Sequence, residues 1–221
     1  MAHDTHAQGS ASLLDRESGG LRSLWLWVAL LVGLAAAFVA DGAVTAAVRP
    51  LHDSALADFT KQTVRWVGRG DFQAGALLLM VIVGAIASRR VRLAGSWGLL
   101  AFAVSGAAAS LVKVIVHRPR PWVTEAAPEM WVGYLRAHDF QSFPSGESTA
   151  SFAIAVAVSG WFPRLRIPLV AAAVAVAAAR VLVGSHFPSD AWAGAILGIA
   201  VGKWVTALSR RQERRGPAAK A

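Results

Sequence analysis

Residues 93–116 read LAGSWGLLAFAVSGAAASLVKVIV, with Lys113 as the one charged side chain. A hydrocarbon core about 30 Å thick is crossed by about 20 apolar residues of helix, so this stretch is long enough to span a bilayer. Five further segments come close: about 22–40, 72–88, 145–162, 167–184 and 189–208. The expected fold is therefore all-α, a six-transmembrane-helix bundle spanning 21–209. A polar tail without structure is expected over 1–20, and a basic tail over 210–221. Ala and Gly are frequent in the last four spans, as close helix packing in lipid requires.

Composition agrees. Hydrophobic residues make up 55% of the chain, charged residues only 16%, and mean hydropathy is +0.48. The net charge of +9 would raise nucleic-acid binding in a soluble protein. Here the basic residues flank apolar spans as anchors, without an aromatic stacking surface, so nucleic acid is excluded as a partner. The chain has no cysteine, which removes thiol catalysis and thiolate metal sites. His3 and His6 lie in the polar tail and are read as incidental. Residues 1–20 lack the basic and apolar regions of a cleaved signal peptide.

The loops SRRVR (88–92) and PRLR (163–166) and the tail SRRQERRGPAAK are basic. With six spans they fall on one side, together with Arg16 and Arg22, and the positive-inside rule makes that side cytoplasmic. Both termini are then cytoplasmic in a multi-pass protein of the plasma (inner) membrane. The loops 41–71 and 117–143 lie outside. Leu56, Phe59, Val64 and Val67 suggest an amphipathic helix lying on the outer interface. Trp66, Trp122, Trp131, Trp161 and Trp192 fall near span ends, as interfacial tryptophans do.

Three polar islands gather at the outer ends of these spans. The first is KVIVHRPRPW (113–122), with Lys113 and Arg120. The second is FPSGES (143–148), which opens the fourth span. The third is ARVLVGSHFPSD (179–190), with Arg180, His186 and Asp190. Ionisable residues at membrane depth are costly and mark function when they converge. Lys113, Arg120 and Arg180 suit phosphate oxygens. Pro144 can open a helix, while Ser145 and Gly146 leave backbone N–H groups uncovered for an anion, and Ser145 adds a hydroxyl. His186 supplies an imidazole nucleophile, and Asp190, four residues on, can fix its tautomer.

These islands resemble the three-part signature of the type 2 phosphatidic acid phosphatase superfamily, which includes bacterial lipid phosphatases. Lys113, Arg120 and Pro121 match a Lys, six residues, Arg-Pro pattern. Pro144, Ser145 and Gly146 match Pro-Ser-Gly-His up to its last position. Arg180, His186 and Asp190 match Ser-Arg, five residues, His, three residues, Asp, with Ala179 in place of the serine. The resemblance implies a metal-independent, cofactor-free hydrolase in which His186 forms a phosphohistidine. Lys113, Arg120, Ser145, Gly146 and Arg180 would hold the phosphate of a lipid phosphate or diphosphate, among membrane lipids.

Glu147 stands where the family carries the histidine that protonates the leaving group. An unperturbed Glu titrates at about 4.3. Nearby cations push that down, while burial and a bound phosphate push it up. Three readings follow. Glu147 is the acid; or the leaving group is good enough to need none, which favours a polyprenyl diphosphate; or the site binds lipid phosphate with little turnover or acts as a phosphotransferase. His117 and His138 are spare imidazoles for the proton role. A small transporter is the main rival from another class, but its charges belong near the midplane. Asp41 is read as an interfacial cap and Lys203 as facing packed helices or snorkelling. The oligomeric state is left open.

Overall fold

The computed structural model describes residues 4–52, 54–123 and 138–215. Trp131 and residues 1–3 and 216–221 lie outside them. The described residues form eight α-helices and three short 3-10 turns: α1 (Asp4–Val48), α2 (Ala55–Gln62), α3 (Val64–Gly68), α4 (Gly70–Ala87), α5 (Arg89–Val116), α6 (Gly146–Trp161), α7 (Arg166–Leu182) and α8 (Pro188–Arg215). The backbone of 4–20 is helical and continuous with the first span. Elongating a formed helix adds a hydrogen bond per residue without a new nucleus. Helix α8 likewise carries the basic run out to Arg215.

Among the described residues, five helices are long and apolar enough to cross a membrane: Leu24–Leu51, Gly70–Ala87, Arg89–Val116, Pro163–Leu182 and Pro188–Arg215. The expected fourth span, α6, has 16 residues, about 24 Å at 1.5 Å per residue. It is the central helix, packed on α5, α7 and α8. Ser148, Thr149, Ala150, Ser151, Phe152, Ala153, Ala155, Ala157 and Val158 are all buried along it.

Three glycines of α8 bring its backbone against α6. A Cβ on Gly194, Gly198 or Gly202 would lie 2.6, 2.3 or 2.8 Å from the carbonyl oxygens of Ser145, Thr149 and Ala153. Only glycine at this four-residue spacing permits such an approach. Helix α4 pairs with α5, while α1 packs chiefly on α8.

The segment expected to lie at the outer interface forms two helices, broken at Thr63, rather than one. Leu56 and Phe59 are exposed on α2, with Ala57 and Thr60 turned inward. The segments carrying the three islands reach the same end of the bundle. The start of α1, the basic turns before α5 and α7, and the end of α8 lie at the other.

Candidate active site

Helix α5 ends on His117, in the left-handed region at φ 47°, with its N–H on the Lys113 carbonyl at 3.1 Å. The chain then turns to bring Arg120 back over the bundle. Arg120 is buried and held on all sides. Its N–H donates to the Asp139 carbonyl at 2.8 Å, Nε to the His138 carbonyl at 3.0 Å and Nη1 to the Ser185 carbonyl at 3.2 Å. Burial draws its pKa down, and Trp122 lies 5.1 Å from its guanidinium carbon.

The second island differs from the sequence reading in two respects. Pro144 is not the first helical residue: it precedes the N-cap Ser145, and Gly146 opens α6. Ser145 is fully buried, and its Oγ accepts from the Ser148 N–H at 3.4 Å and Ser148 Oγ at 3.1 Å. Its own N–H donates to the Asp190 carbonyl at 2.9 Å. Ser145 therefore caps α6 and ties the second island to the third, and it is not among the residues lining the cavity. Gly146 does line the cavity, where a Cβ would lie 3.6 Å from Lys113 Nζ.

Helix α7 ends in a turn built on Gly184 at φ 70°, which lets the N–H groups of Ser185 and His186 return to the Arg180 carbonyl at 2.9 and 3.2 Å. His186 is 5% exposed, and its Nδ1 lies 2.8 Å from the Ser142 carbonyl. A carbonyl only accepts, so Nδ1 carries the proton and Nε2 keeps its lone pair. Asp190 was expected to fix this tautomer directly. Its Oδ2 is 3.7 Å from Nδ1, beyond hydrogen-bond range. It instead accepts from Ser142 Oγ at 2.5 Å and the Phe187 N–H at 2.8 Å. Asp190 thus positions the residue that orients the imidazole. Burial pulls the His186 pKa down to about 4, with Arg120 and Lys113 opposing its charge and Asp190 favouring it.

Lys113, Arg120, Gly146, Glu147, Arg180 and His186 line one cavity of about 560 Å³. Arg180 Nε lies 2.7 Å from Glu147 Oε2 as an ion pair. His138 also borders the cavity, and its Nε2 accepts from Arg120 Nη2 at 2.9 Å. Burial and the neighbouring Arg120 lower its pKa. Being neutral with that nitrogen engaged, His138 is a poor proton donor in this arrangement; His117 is not among the lining residues.

Two features escaped sequence reading. Lys61 of α2 borders the same cavity, with Nζ donating to the His52 carbonyl at 3.0 Å. Asp41, expected at the interface, is buried and takes Arg118 Nη2 at 2.6 Å, the Ser189 N–H at 2.9 Å and Ser189 Oγ at 2.5 Å. Arg118 Nη1 reaches Asp190 Oδ1 at 2.8 Å and Ser189 Oγ at 2.5 Å. An acid on α1 therefore caps the start of α8 through space. No residue spacing announces a partner this distant in the chain.

The PAP2 superfamily model matches residues 94–214. The lipid A 1-phosphatase of Rhizobium johnstonii is 32% identical over 71% of this chain, and the lipid A 1-phosphatase of Rhizobium etli is 36% identical over 48%. The matches span 62% and 44% of those two proteins, less than two thirds of either. The decaprenylphosphoryl-5-phosphoribose phosphatase of Mycobacterium tuberculosis is 33% identical over 62% of this chain and 73% of its own length. Among solved structures, the transmembrane PAP2-type phosphatidylglycerolphosphate phosphatase of Bacillus subtilis superposes with a TM-score of 0.61. It is 25% identical, over 85% of this chain and 96% of its own. Aquifex aeolicus LpxE shares the fold, with a TM-score of 0.57 at 20% identity over 76% of this chain and 94% of its own.

Proposed function

From a chain that belongs to the PAP2 superfamily, we propose a membrane lipid phosphatase that works through a phosphohistidine on His186, with a lipid diphosphate as its preferred substrate. The observation that carries the proposal is the Nδ1–H of His186 on the Ser142 carbonyl. It leaves Nε2 as a nucleophile on a residue that shares a cavity with four cations. The phosphatase relatives support the reaction class.

Lys113, Arg120 and Arg180 hold the terminal phosphate and neutralise charge that develops on its oxygens. Nε2 attacks phosphorus. The bond to the bridging oxygen breaks, and its electron pair leaves with the remaining lipid phosphate. A water then attacks the phosphohistidine, the P–N electrons return to Nε2, the water's proton passes to solvent and inorganic phosphate departs. Asp190 and Ser142 hold the ring throughout as positioning residues.

Two observations favour a diphosphate. Glu147 is paired with Arg180 at 2.7 Å, and a guanidinium at that distance favours the carboxylate over a form that could protonate an alkoxide. A phosphate monoester leaves without being protonated. Four cations, Lys61, Lys113, Arg120 and Arg180, border the cavity against the single carboxylate of Glu147, an excess suited to more than one phosphate. The site lies at the end away from the basic turns, which by the positive-inside rule supports a site at the outer face of the plasma membrane, with six crossings if α6 is counted.

The test is phosphate release in detergent from a prenyl diphosphate and a lipid monophosphate, with His186→Ala as blank. Faster release from the diphosphate is expected, and Glu147→His should raise monophosphate hydrolysis. Faster wild-type release from the monophosphate removes the diphosphate preference. Release that survives His186→Ala removes the phosphohistidine.

A further inference from the structure

A second cavity, of about 750 Å³, opens between α1, α6, α7 and α8 and runs to the end of the bundle away from His186. Its deep walls are apolar, with Phe152, Val156, Val170 and Ile199. Its mouth is cationic, with Arg166, Lys203 and Arg210. No carboxylate lines it among the described residues. Lys203 Nζ sits 5.0 Å over the Trp27 ring, which holds the ammonium at the edge of α1.

The dimensions decide what fits. Ile199 at the deep end and Arg210 at the mouth lie on one helix, about 16 Å apart at 1.5 Å per residue. That is about half the roughly 30 Å hydrocarbon thickness, the depth of one leaflet. A greasy groove one leaflet deep, closed by three cations, matches a single lipid with an anionic head group. Water-soluble phosphates match only the mouth. Basic pockets between membrane helices hold anionic head groups in this way.

We propose that this crevice binds one anionic phospholipid of the leaflet opposite the catalytic end. An acyl chain lies along Ile199, Val156 and Phe152, and the phosphate sits among Arg166, Lys203 and Arg210. The site is separate from the catalytic cavity and does not rest on the reading of His186.

The test uses full-length protein, delipidated in detergent and offered phosphatidylglycerol or phosphatidylcholine, with bound lipid counted by native mass spectrometry. A Lys113→Met/Arg120→Met background disables the catalytic cavity, so that lipid held there is not counted. One phosphatidylglycerol per chain should be retained in preference to phosphatidylcholine. At about fivefold per basic residue, Arg166→Gln/Lys203→Met/Arg210→Gln should weaken retention on the order of a hundredfold. Ser159→Trp, which fills the groove and leaves the charges in place, should also displace the lipid. On an otherwise wild-type chain, both crevice variants should keep phosphate release in detergent, which verifies their folding. Equal retention of the two lipids overturns the proposal. So does unchanged retention in both crevice variants, or cross-linking that places residues 4–23 in the groove.

Discussion

Arg118→Met removes the guanidinium that joins Asp41 to Asp190. Three short contacts go with it, to Asp41 Oδ2 at 2.6 Å, Asp190 Oδ1 at 2.8 Å and Ser189 Oγ at 2.5 Å. Asp190 is fully buried, Asp41 is 6% exposed, and among the described residues Arg118 is the only Lys or Arg paired with either. Breaking a buried pair from one side costs about 3–5 kcal/mol, because the remaining charge is left without compensation. The Arg118 side chain is 19% exposed, so water relieves part of this and the lower figure, about 3 kcal/mol, applies. For a domain of this size that lowers Tm by roughly 6–12 °C. Thermal unfolding in detergent, followed by tryptophan fluorescence, reads the loss. The same samples should lose about 10- to 100-fold in kcat, since Asp190 no longer fixes Ser142 and hence the imidazole. Asp41→Asn also leaves Arg118 its Asp190 partner and should cost less. The double variant should fall short of the sum of the singles by about 1–3 kcal/mol. A Tm for Arg118→Met within about 2 °C of wild type, or strictly additive losses, would refute the reasoning.

The His186 imidazole titrates near 4 when folded and near 6.5 when unfolded. The unfolded chain therefore takes up the proton first, and stability falls as pH drops from about 6.5 to about 4, by about 3 kcal/mol at about 1.36 kcal/mol per pH unit. His186→Gln should flatten that part of the stability profile, and wild-type activity should persist below pH 6. Gly198→Ala puts a methyl 2.3 Å from the Thr149 carbonyl oxygen; overpacking should cost about 1–3 kcal/mol, read as a lower Tm with reduced kcat. Ser145→Ala removes an N-cap and should cost about 1 kcal/mol, with KM unchanged because the hydroxyl lies outside the cavity. Lys61→Met should raise KM for a diphosphate about fivefold and leave a monophosphate nearly unaffected, measured by phosphate release.

The apolar runs made the spans legible, because length against bilayer thickness is a property of the local chain. The islands were legible for the same reason: Lys113 to Arg120 and Arg180 to His186 to Asp190 are fixed spacings at helix ends. The details that failed depend on what is distant. Asp190 sits four residues from His186, as a direct orienting partner would, yet Ser142 occupies that position. Ser145 has the residue type of an anion donor, and its oxygen also accepts within α6 as the N-cap. Lys61 and Asp41 act through elements packed next to them in space, and composition carries no mark of that. Glu147 was singled out as the departure that matters, and its pairing with Arg180 needed the two helices in place.

The glycines of α8 leave its bare backbone directly against the carbonyl oxygens of α6 and the Cβ atoms of Ser148, Phe152 and Val156, with no side chain of α8 between them. The floor of the catalytic chamber is consequently a fixed gauge: the start of α6 and the imidazole loop keep their separation whatever lipid arrives. Any accommodation to a larger or differently charged head group falls to the rim, where Lys61 and the turn bearing His138 stand on surface segments. In such a scaffold, a change of diet would be written at the rim while the chemistry below stays the same.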